Sequence, residues 1–274
     1  MAALATYTFA VEPARLVLRR VEVPIPGLPQ ALNGLRIGLL TDLHWGPLIP
    51  ERRLRRAVAL MAAEHPDLVA LTGDFVSYWP RYALGYKRVL APLKPPLGIF
   101  ACTGNHDHWT DPTLVVTSLE AAGVTVLRNC HRERSVGTAR LAIIGVDDVG
   151  TTGFSLFHVK PTADLAAALA GCPPDGVFRL LLLHNPDFVL DTAFVCETAG
   201  RPIHLVLAGH THGGQVRLPL IGAPHIPSRF GQLFSGGLVE VAGTRVYVSR
   251  GIGASWPLRF GCRPEVNLLT LRPA

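Results

Sequence analysis

The chain has 274 residues, 49% hydrophobic and only 17% charged, which excludes a disordered polymer and leaves room for one large α/β domain with a substantial core. A formal charge of +6 points toward anionic partners (phosphate esters, nucleic acid or acidic lipid) without choosing among them. Five scattered cysteines, Cys102, Cys130, Cys172, Cys196 and Cys262, show no C-x-x-C spacing and argue against a disulfide framework or a structural zinc site. Residues 1–10 lack the basic and apolar regions of a signal peptide, and no run approaches the roughly 18 apolar residues of a membrane span. A cytoplasmic protein is the expectation.

Residues 16–24 have the pattern of an edge strand ended by Pro24. Residues 35–40 are the first core strand, and they run into Thr41-Asp42-Leu43-His44-Trp45-Gly46. Pro50 then opens a helix that puts Leu54, Ala57, Val58 and Met61 on one face and leaves Arg52, Arg53, Arg55 and Arg56 on the others. A second buried strand at 68–71 ends in Thr72-Gly73-Asp74-Phe75. A helix near 82–92 leads to a third strand at 98–102, which ends in Gly104-Asn105-His106-Asp107. Weaker strands are expected at 124–127 and 141–146, and an Ala-rich helix at 162–170. The buried strand at 178–183 runs into His184, and the one at 203–208 into Gly209-His210-Thr211-His212-Gly213-Gly214, where glycines let the backbone approach a ligand. Residues 238–249 alternate about Ala242-Gly243-Thr244 as a hairpin would, and 266–271 supply a last strand. Alternating strands and helices, followed by a strand-rich end with no linker or repeat, predict a single α/β domain over residues 1–274.

Five polar motifs thus follow five apolar strands: Asp42-x-His44, Gly73-Asp74, Gly104-Asn105-His106-Asp107, His184 and His210-x-His212. Open α/β sheets bind ligands just beyond the carboxyl ends of their strands, so a site belongs there. Carboxylate, imidazole and amide donors together suit divalent Mn, Fe, Zn or Ni rather than thiophilic or all-oxygen sites. Seven or more such groups exceed the needs of one ion but suit two that share a carboxylate, an arrangement that clamps both oxygens of a displacement at phosphorus. Taken singly, Asp42 and Asp74 also fit helix N-caps and His184 a core histidine. His108 fits a loop residue, and His65, His131, His158, His204 and His225 have no motif context. The series, rather than any member, carries the metal reading.

In this order the motifs resemble the calcineurin-like metallophosphoesterases. The resemblance implies a four-layer α/β/β/α sandwich of two mixed sheets flanked by helices. It also implies that Asp42, His44 and His212 hold one metal, Asn105, His184 and His210 a second, and Asp74 bridges the two. His106 would then assist the leaving group, with Asp107 orienting it. The implied activity is hydrolysis of a P–O bond, above all in a phosphodiester, by in-line attack of a metal-generated hydroxide. Residues 25–29 and 249–253, with Leu258-Arg259-Phe260 and Arg263-Pro264-Glu265, resemble a bacterial subgroup with membrane-associated phosphodiesterases and a UDP-diacylglucosamine pyrophosphohydrolase. Phe75–Trp79 stand where many members carry Asp and Arg after the bridging aspartate, which argues against a phosphoprotein phosphatase.

Two rival classes can be weighed on the same residues. A non-catalytic scaffold would have lost ligand positions, whereas all seven here hold competent donors. A nuclease would be expected to show basic runs interleaved with aromatics, and no such signature is present, so nucleic acid is not an expected partner. Residues 215–236 are long, proline-broken and apolar, and either overhang the site or cover the core. With Tyr78, Trp79 and Tyr82 opposite, they favour a phosphoester with an apolar or lipid group, or peripheral contact with an anionic membrane.

Overall fold

The computed structural model describes residues 2–147, 162–198, 200–254, 256 and 258–274. Its strands, in chain order, are Val17–Ile25 (β1), Arg36–Leu40 (β2), Leu68–Thr72 (β3), Ile99–Cys102 (β4), Val124–Val126 (β5), Cys130–Val136 (β6), Ala139–Gly145 (β7), Val177–Leu182 (β8), Leu205–Ala208 (β9), Gly237–Val241 (β10), Thr244–Val248 (β11) and Glu265–Pro273 (β12). They form two six-stranded sheets, ordered β1-β12-β2-β3-β4-β5 and β10-β11-β9-β8-β7-β6. Both sheets are mixed. In the first, β12 runs antiparallel to β2 and parallel to β1; in the second, β6 and β10 are antiparallel to their neighbours.

The central strands are continuous apolar runs because both their faces are covered. Alternate residues Ile37, Leu39, Ala70 and Phe100 point inward, meeting Leu141, Ile143, Leu180, Leu182, Leu205 and Leu207 of the other sheet. The opposite faces pack under helices. Leu40, Leu71 and Ala101 lie beneath Leu54, Ala57, Val58 and Met61 of Glu51–Ala62 and beneath Val115 and Leu119 of Pro112–Ala121. Ala142, Ile144, Leu181 and Val206 lie beneath Leu165–Leu169 and Phe194. The result is the four-layer α/β/β/α sandwich.

Several elements depart from the sequence-based expectation for local reasons. Pro24 does not end β1, which continues to Ile25; β1 is the outermost strand of its sheet, where the missing N–H disrupts no ladder. The expected helix at 82–92 is a 3₁₀ segment, Pro80–Gly85, followed by one short α-helix, Tyr86–Leu90. Gly85 at their junction lies so close to the Trp45 ring that no Cβ would fit. Strand β6, Cys-His-Arg-Glu-Arg-Ser-Val, carries too many charges to read as a strand from sequence, yet it is the half-exposed edge of the second sheet. Helical residues 2–14 and the helices Pro112–Ala121 and Thr192–Thr198 were also not anticipated, and His158 lies outside the described residues.

Leu180 of β8 is fully buried in the core between the two sheets. Leu180→Ala is expected to cost about 2–5 kcal/mol of unfolding free energy through lost burial and a residual cavity. Urea unfolding should show a lower midpoint with an unchanged slope, and bound metal should be unaffected at low denaturant.

Candidate metal centre

Each polar motif begins where a strand's hydrogen bonds end, and the first sheet's C-terminal edge aligns the loops. His44 N–H donates to the Asp74 carbonyl at 2.9 Å, and Asp42 N–H to the Gly73 carbonyl at 3.1 Å. Backbone strain is concentrated here. Among the described residues ten non-glycines have positive φ, and five of them are Asp42 (51°), His44 (47°), Asp74 (53°), His210 (69°) and His212 (50°). A left-handed conformation costs an L-residue on the order of 1 kcal/mol or more, and persists only where the surroundings impose it. In this case it turns both members of each x-spaced pair into one cavity. Gly73 (φ 87°) is required for the same packing, since a Cβ there would lie 2.7 Å from the Gly104 nitrogen and 2.8 Å from His184 Nδ1.

The cavity gathers all the ligand candidates. His44 Nε2 lies 3.2 Å from His212 Nε2, and His212 Nε2 lies 3.5 Å from Asp42 Oδ1. Asp74 Oδ2 is 3.4 Å from His44 Nε2 and 3.2 Å from His184 Nε2. His210 Nδ1 is 3.2 Å from His184 Nε2 and 3.0 Å from Asn105 Oδ1. Donor atoms held at about 2.1 Å from a divalent ion lie roughly 3.0–3.5 Å from one another, so these separations fit ligands converging on metal. Asp42, His44 and His212 form one such group, and Asp42, Asp74 and His184 another. The ring of His106 is close enough to His44 and Asp74 to form a third.

Protonation follows burial and charge. Burial pushes His44 and His212 well below their ordinary range and His210 down to about 3, favouring the neutral imidazole that a metal requires. Burial also opposes charge on His184, but Asp74 and Asp42 beside it raise it to about 10. Burial pushes Asp42 up to about 6. For Asp74, burial is outweighed by His184, His106 and His44, which hold it well below the usual carboxylate range. The outer nitrogen of His184 faces the Thr72 carbonyl at 2.7 Å, which fixes the ring and leaves Nε2 to the cavity.

Asp107, which the resemblance assigns to orienting His106, is anchored by backbone donors. Its carboxylate accepts from the backbone N–H groups of Gly104 (2.9 Å), Asp74 (3.0 Å) and Phe75 (2.9 Å), so it ties the Asp74 loop to its own. The His106 ring contacts the Ser77 carbonyl, 2.8 Å from Nδ1, and Trp109, whose ring centroid lies 4.2 Å away.

Sequence reasoning missed two residues. Arg259 is buried and donates to the carbonyls of Arg250 (2.9 Å) and Gly253 (2.6 Å), while Gly253 N–H donates to Asp42 O at 2.7 Å. The closing Ser-Arg-Gly-Ile-Gly motif is therefore packing behind Asp42 and His44. The second is Asp147, beyond β7. Its Oδ1 accepts from Thr103 Oγ1 and lies 2.8 Å from His108 Nε2, while Oδ2 pairs with Arg128 Nη2 at 2.7 Å. Thr103 and His108 bracket Asn105-His106-Asp107, so one carboxylate clamps that motif from both ends. His108, in the helix Asn105–Trp109, is consequently a part-buried partner of Asp147 rather than a loop residue. Position after the apolar strand β7 was the available signal, masked because Asp147-Asp148 has no motif around it.

Residues 35–214 match the calcineurin-like phosphoesterase family, a span containing every ligand candidate from Asp42 to His212. The chain belongs to this family. This phosphoesterase is 34% identical over 240 residues to phosphodiesterase YaeI of Escherichia coli (strain K12), covering 86% of this chain and 82% of that protein. It is 26% identical over 315 residues to the UDP-2,3-diacylglucosamine pyrophosphatase LpxG of Chlamydia trachomatis, covering 94% and 90%. Its fold is shared with the sulfate thiohydrolase SoxB of Thermus thermophilus, with a TM-score of 0.53 at 14% identity over 89% of this chain and 57% of that one. Membership makes the protein a metal-dependent phosphoric ester hydrolase.

The Asp147 clamp predicts a pH dependence. Burial opposes its charge, but His108, Arg128 and Thr103 hold it well below the usual carboxylate range. A depressed carboxylate contributes stability above its ordinary pKa near 4, and that contribution is lost as pH falls through the folded value. Thermal unfolding between pH 7 and pH 3 should therefore show a shallower loss of Tm for Asp147→Asn than for the parent, starting from a lower Tm at pH 7.

Proposed function

We propose that Asp42, His44 and His212 hold one divalent ion and Asn105, His184 and His210 a second, with Asp74 shared between them. The observation behind this reading is that a single atom, Asp74 Oδ2, lies 3.4 Å from His44 Nε2 and 3.2 Å from His184 Nε2. Nitrogen donors mixed with carboxylate and amide oxygen suit Mn, Fe, Zn or Ni. When bound, two such ions lower the pKa of water and neutralise charge on the phosphoryl oxygens.

The reaction is hydrolysis of a phosphodiester. Water adds to phosphorus in line, the opposite P–O bond breaks, and the departing oxygen takes a proton. His106 supplies that proton or stabilises the charge. With Nδ1–H donated to the Ser77 carbonyl, the ring protonated at both nitrogens presents Nε2–H to the departing oxygen, and its backbone N–H donates to Asp74 Oδ1 at 2.9 Å, fixing the ring's position relative to the shared carboxylate. Exclusion of bulk water follows from the burial of Asp42, His44, Asp74 and His184. The name of YaeI supports a diester, and that of LpxG supports a phosphoester bearing a lipid group, with pyrophosphate hydrolysis as the alternative reaction on the same centre. Free thiols at Cys130, Cys172 and Cys262 support a reducing, cytoplasmic setting.

Two variants separate holding metal from assisting departure. Asp74→Asn should lower the content of both ions, read by elemental analysis of the purified protein; full occupancy would overturn the shared role. His106→Ala should keep its metal but lose about 10²-fold or more in kcat toward a diester. Loss of metal in His106→Ala would make His106 a ligand with His44 and Asp74.

A further inference from the structure

Three segments distant in sequence converge on one strip beside the metal centre. Helical residues 2–14 lie along residues 258–262: Arg259 N–H donates to the Thr8 carbonyl at 3.0 Å, Cys262 N–H donates to Glu12 Oε1 at 2.6 Å, and the rings of Tyr7 and Phe260 meet edge-on at 6.2 Å. The other edge of that strip pairs with residues 215–217, through Phe260 N–H to the Gln215 carbonyl (2.9 Å) and Arg217 N–H to the Phe260 carbonyl (2.7 Å). Past Arg217 the chain projects as a tight turn closed by Leu218 and Gly222. Behind the strip, Cys262 Sγ donates to the His212 carbonyl at 3.2 Å, so this face adjoins the metal centre directly.

What the face displays is apolar. Leu220 and Ile221 at the turn's tip are 108% and 68% exposed, Trp256 69%, Leu4 57% and Phe9 54%. Leu220 adopts φ 66°, a left-handed conformation unfavourable for leucine, and the turn thereby exposes the side chain rather than burying it. Residues 3–11, Ala-Leu-Ala-Thr-Tyr-Thr-Phe-Ala-Val, are helical with no charged group, so the helix has no charged face to turn toward water.

Charge points the same way. The chain has 20 acidic residues, yet residues 2–15, 200–239 and 249–264 contain only Glu12, which is buried against Cys262. The same stretches carry seven arginines: Arg15, Arg201, Arg217, Arg229, Arg250, the buried Arg259, and Arg263. Within these stretches the exposed groups thus include apolar side chains and arginines, with no exposed acid of their own. Projecting leucines and a tryptophan match the layer between lipid headgroups and acyl chains, and the arginines match anionic headgroups.

We propose that this face seats the enzyme on an anionic bilayer, with Leu220, Ile221, Trp256 and the residue 2–11 helix entering the headgroup boundary. This deepens the proposed reading, on which a lipid-linked phosphoester would be presented to the adjoining centre from the same surface. The test uses the full chain and vesicles of phosphatidylcholine with or without about one-quarter phosphatidylglycerol. The parent should co-sediment with the anionic vesicles, prefer them to neutral ones, and release as salt rises. Leu220→Asp with Ile221→Asp, and separately Phe9→Asp or Trp256→Ser, should each cut partitioning by about tenfold or more, since each removes burial of one or two large apolar groups. Hydrolysis of soluble bis(p-nitrophenyl) phosphate should be unchanged in all of them, which also shows that they fold. Variants that partition like the parent, or a parent indifferent to vesicle charge, would overturn the proposal. So would a concentration-dependent dimer abolished by the same substitutions without vesicle binding, which would assign the face to a second copy. Sedimentation requires no turnover, so a parent that binds vesicles but cleaves no ester would count against the phosphoesterase reading while leaving the docking face standing.

Discussion

The carboxylate of Asp74 is almost completely enclosed, and an enclosed charge survives only among compensating groups. One oxygen faces His44 and His184, and the other takes the N–H of His106. Those partners come from the ends of β2, β4 and β8, strands of two different sheets. Satisfying this one group therefore requires both sheets to present their carboxyl ends to the same point. The sandwich is the means by which loops from opposing layers reach a common carboxylate.

The same requirement accounts for the strained backbone. Left-handed Asp42, His44, Asp74, His210 and His212 would relax in isolation, but tethers hold them. Asp107 fixes the Asp74 loop through several N–H groups, His210 N–H is received by Asp42 at 3.1 Å, and the 250–253 segment, stapled by Arg259, closes behind Asp42. A centre that must hold several imidazoles and carboxylates in place before any ligand arrives depends on such preorganisation.

The candidate donors were legible in sequence because each follows an apolar strand at fixed short range, as in Asp42-x-His44 and His210-x-His212. The layered fold followed from the family resemblance rather than from periodicity, since buried strands such as 178–183 have no alternation to read. Long-range tethering was not legible. Asp147 meets Thr103 and His108 some forty residues back, and nothing around it marks it as different from a surface acid. Arg259 likewise looks like a surface cation and is buried only because four backbone carbonyl groups need donors there. The role given to Asp107 came from the family resemblance, and its tether to the Asp74 loop through backbone N–H groups carries no mark in the sequence. Strand β6 was missed because an edge needs only one apolar face. In residues 215–236, Ile226 and Phe234 are buried as core cover, whereas Leu218, Leu220 and Ile221 are exposed.

The position of β12 bears on how the protein is made. Residues 265–273 do not add to the rim of the first sheet but lie between β1 and β2, hydrogen-bonded on both sides. During synthesis β1 and β2 emerge from the ribosome more than two hundred residues before the strand that joins them. Until the last segment is released, β1 has no neighbour and β2 has one open edge, both exposed to mispairing. Native assembly of this layer consequently waits for residues 265–273, and a chain truncated before residue 265 leaves β1 and β2 with unpaired edges rather than a nearly finished sheet.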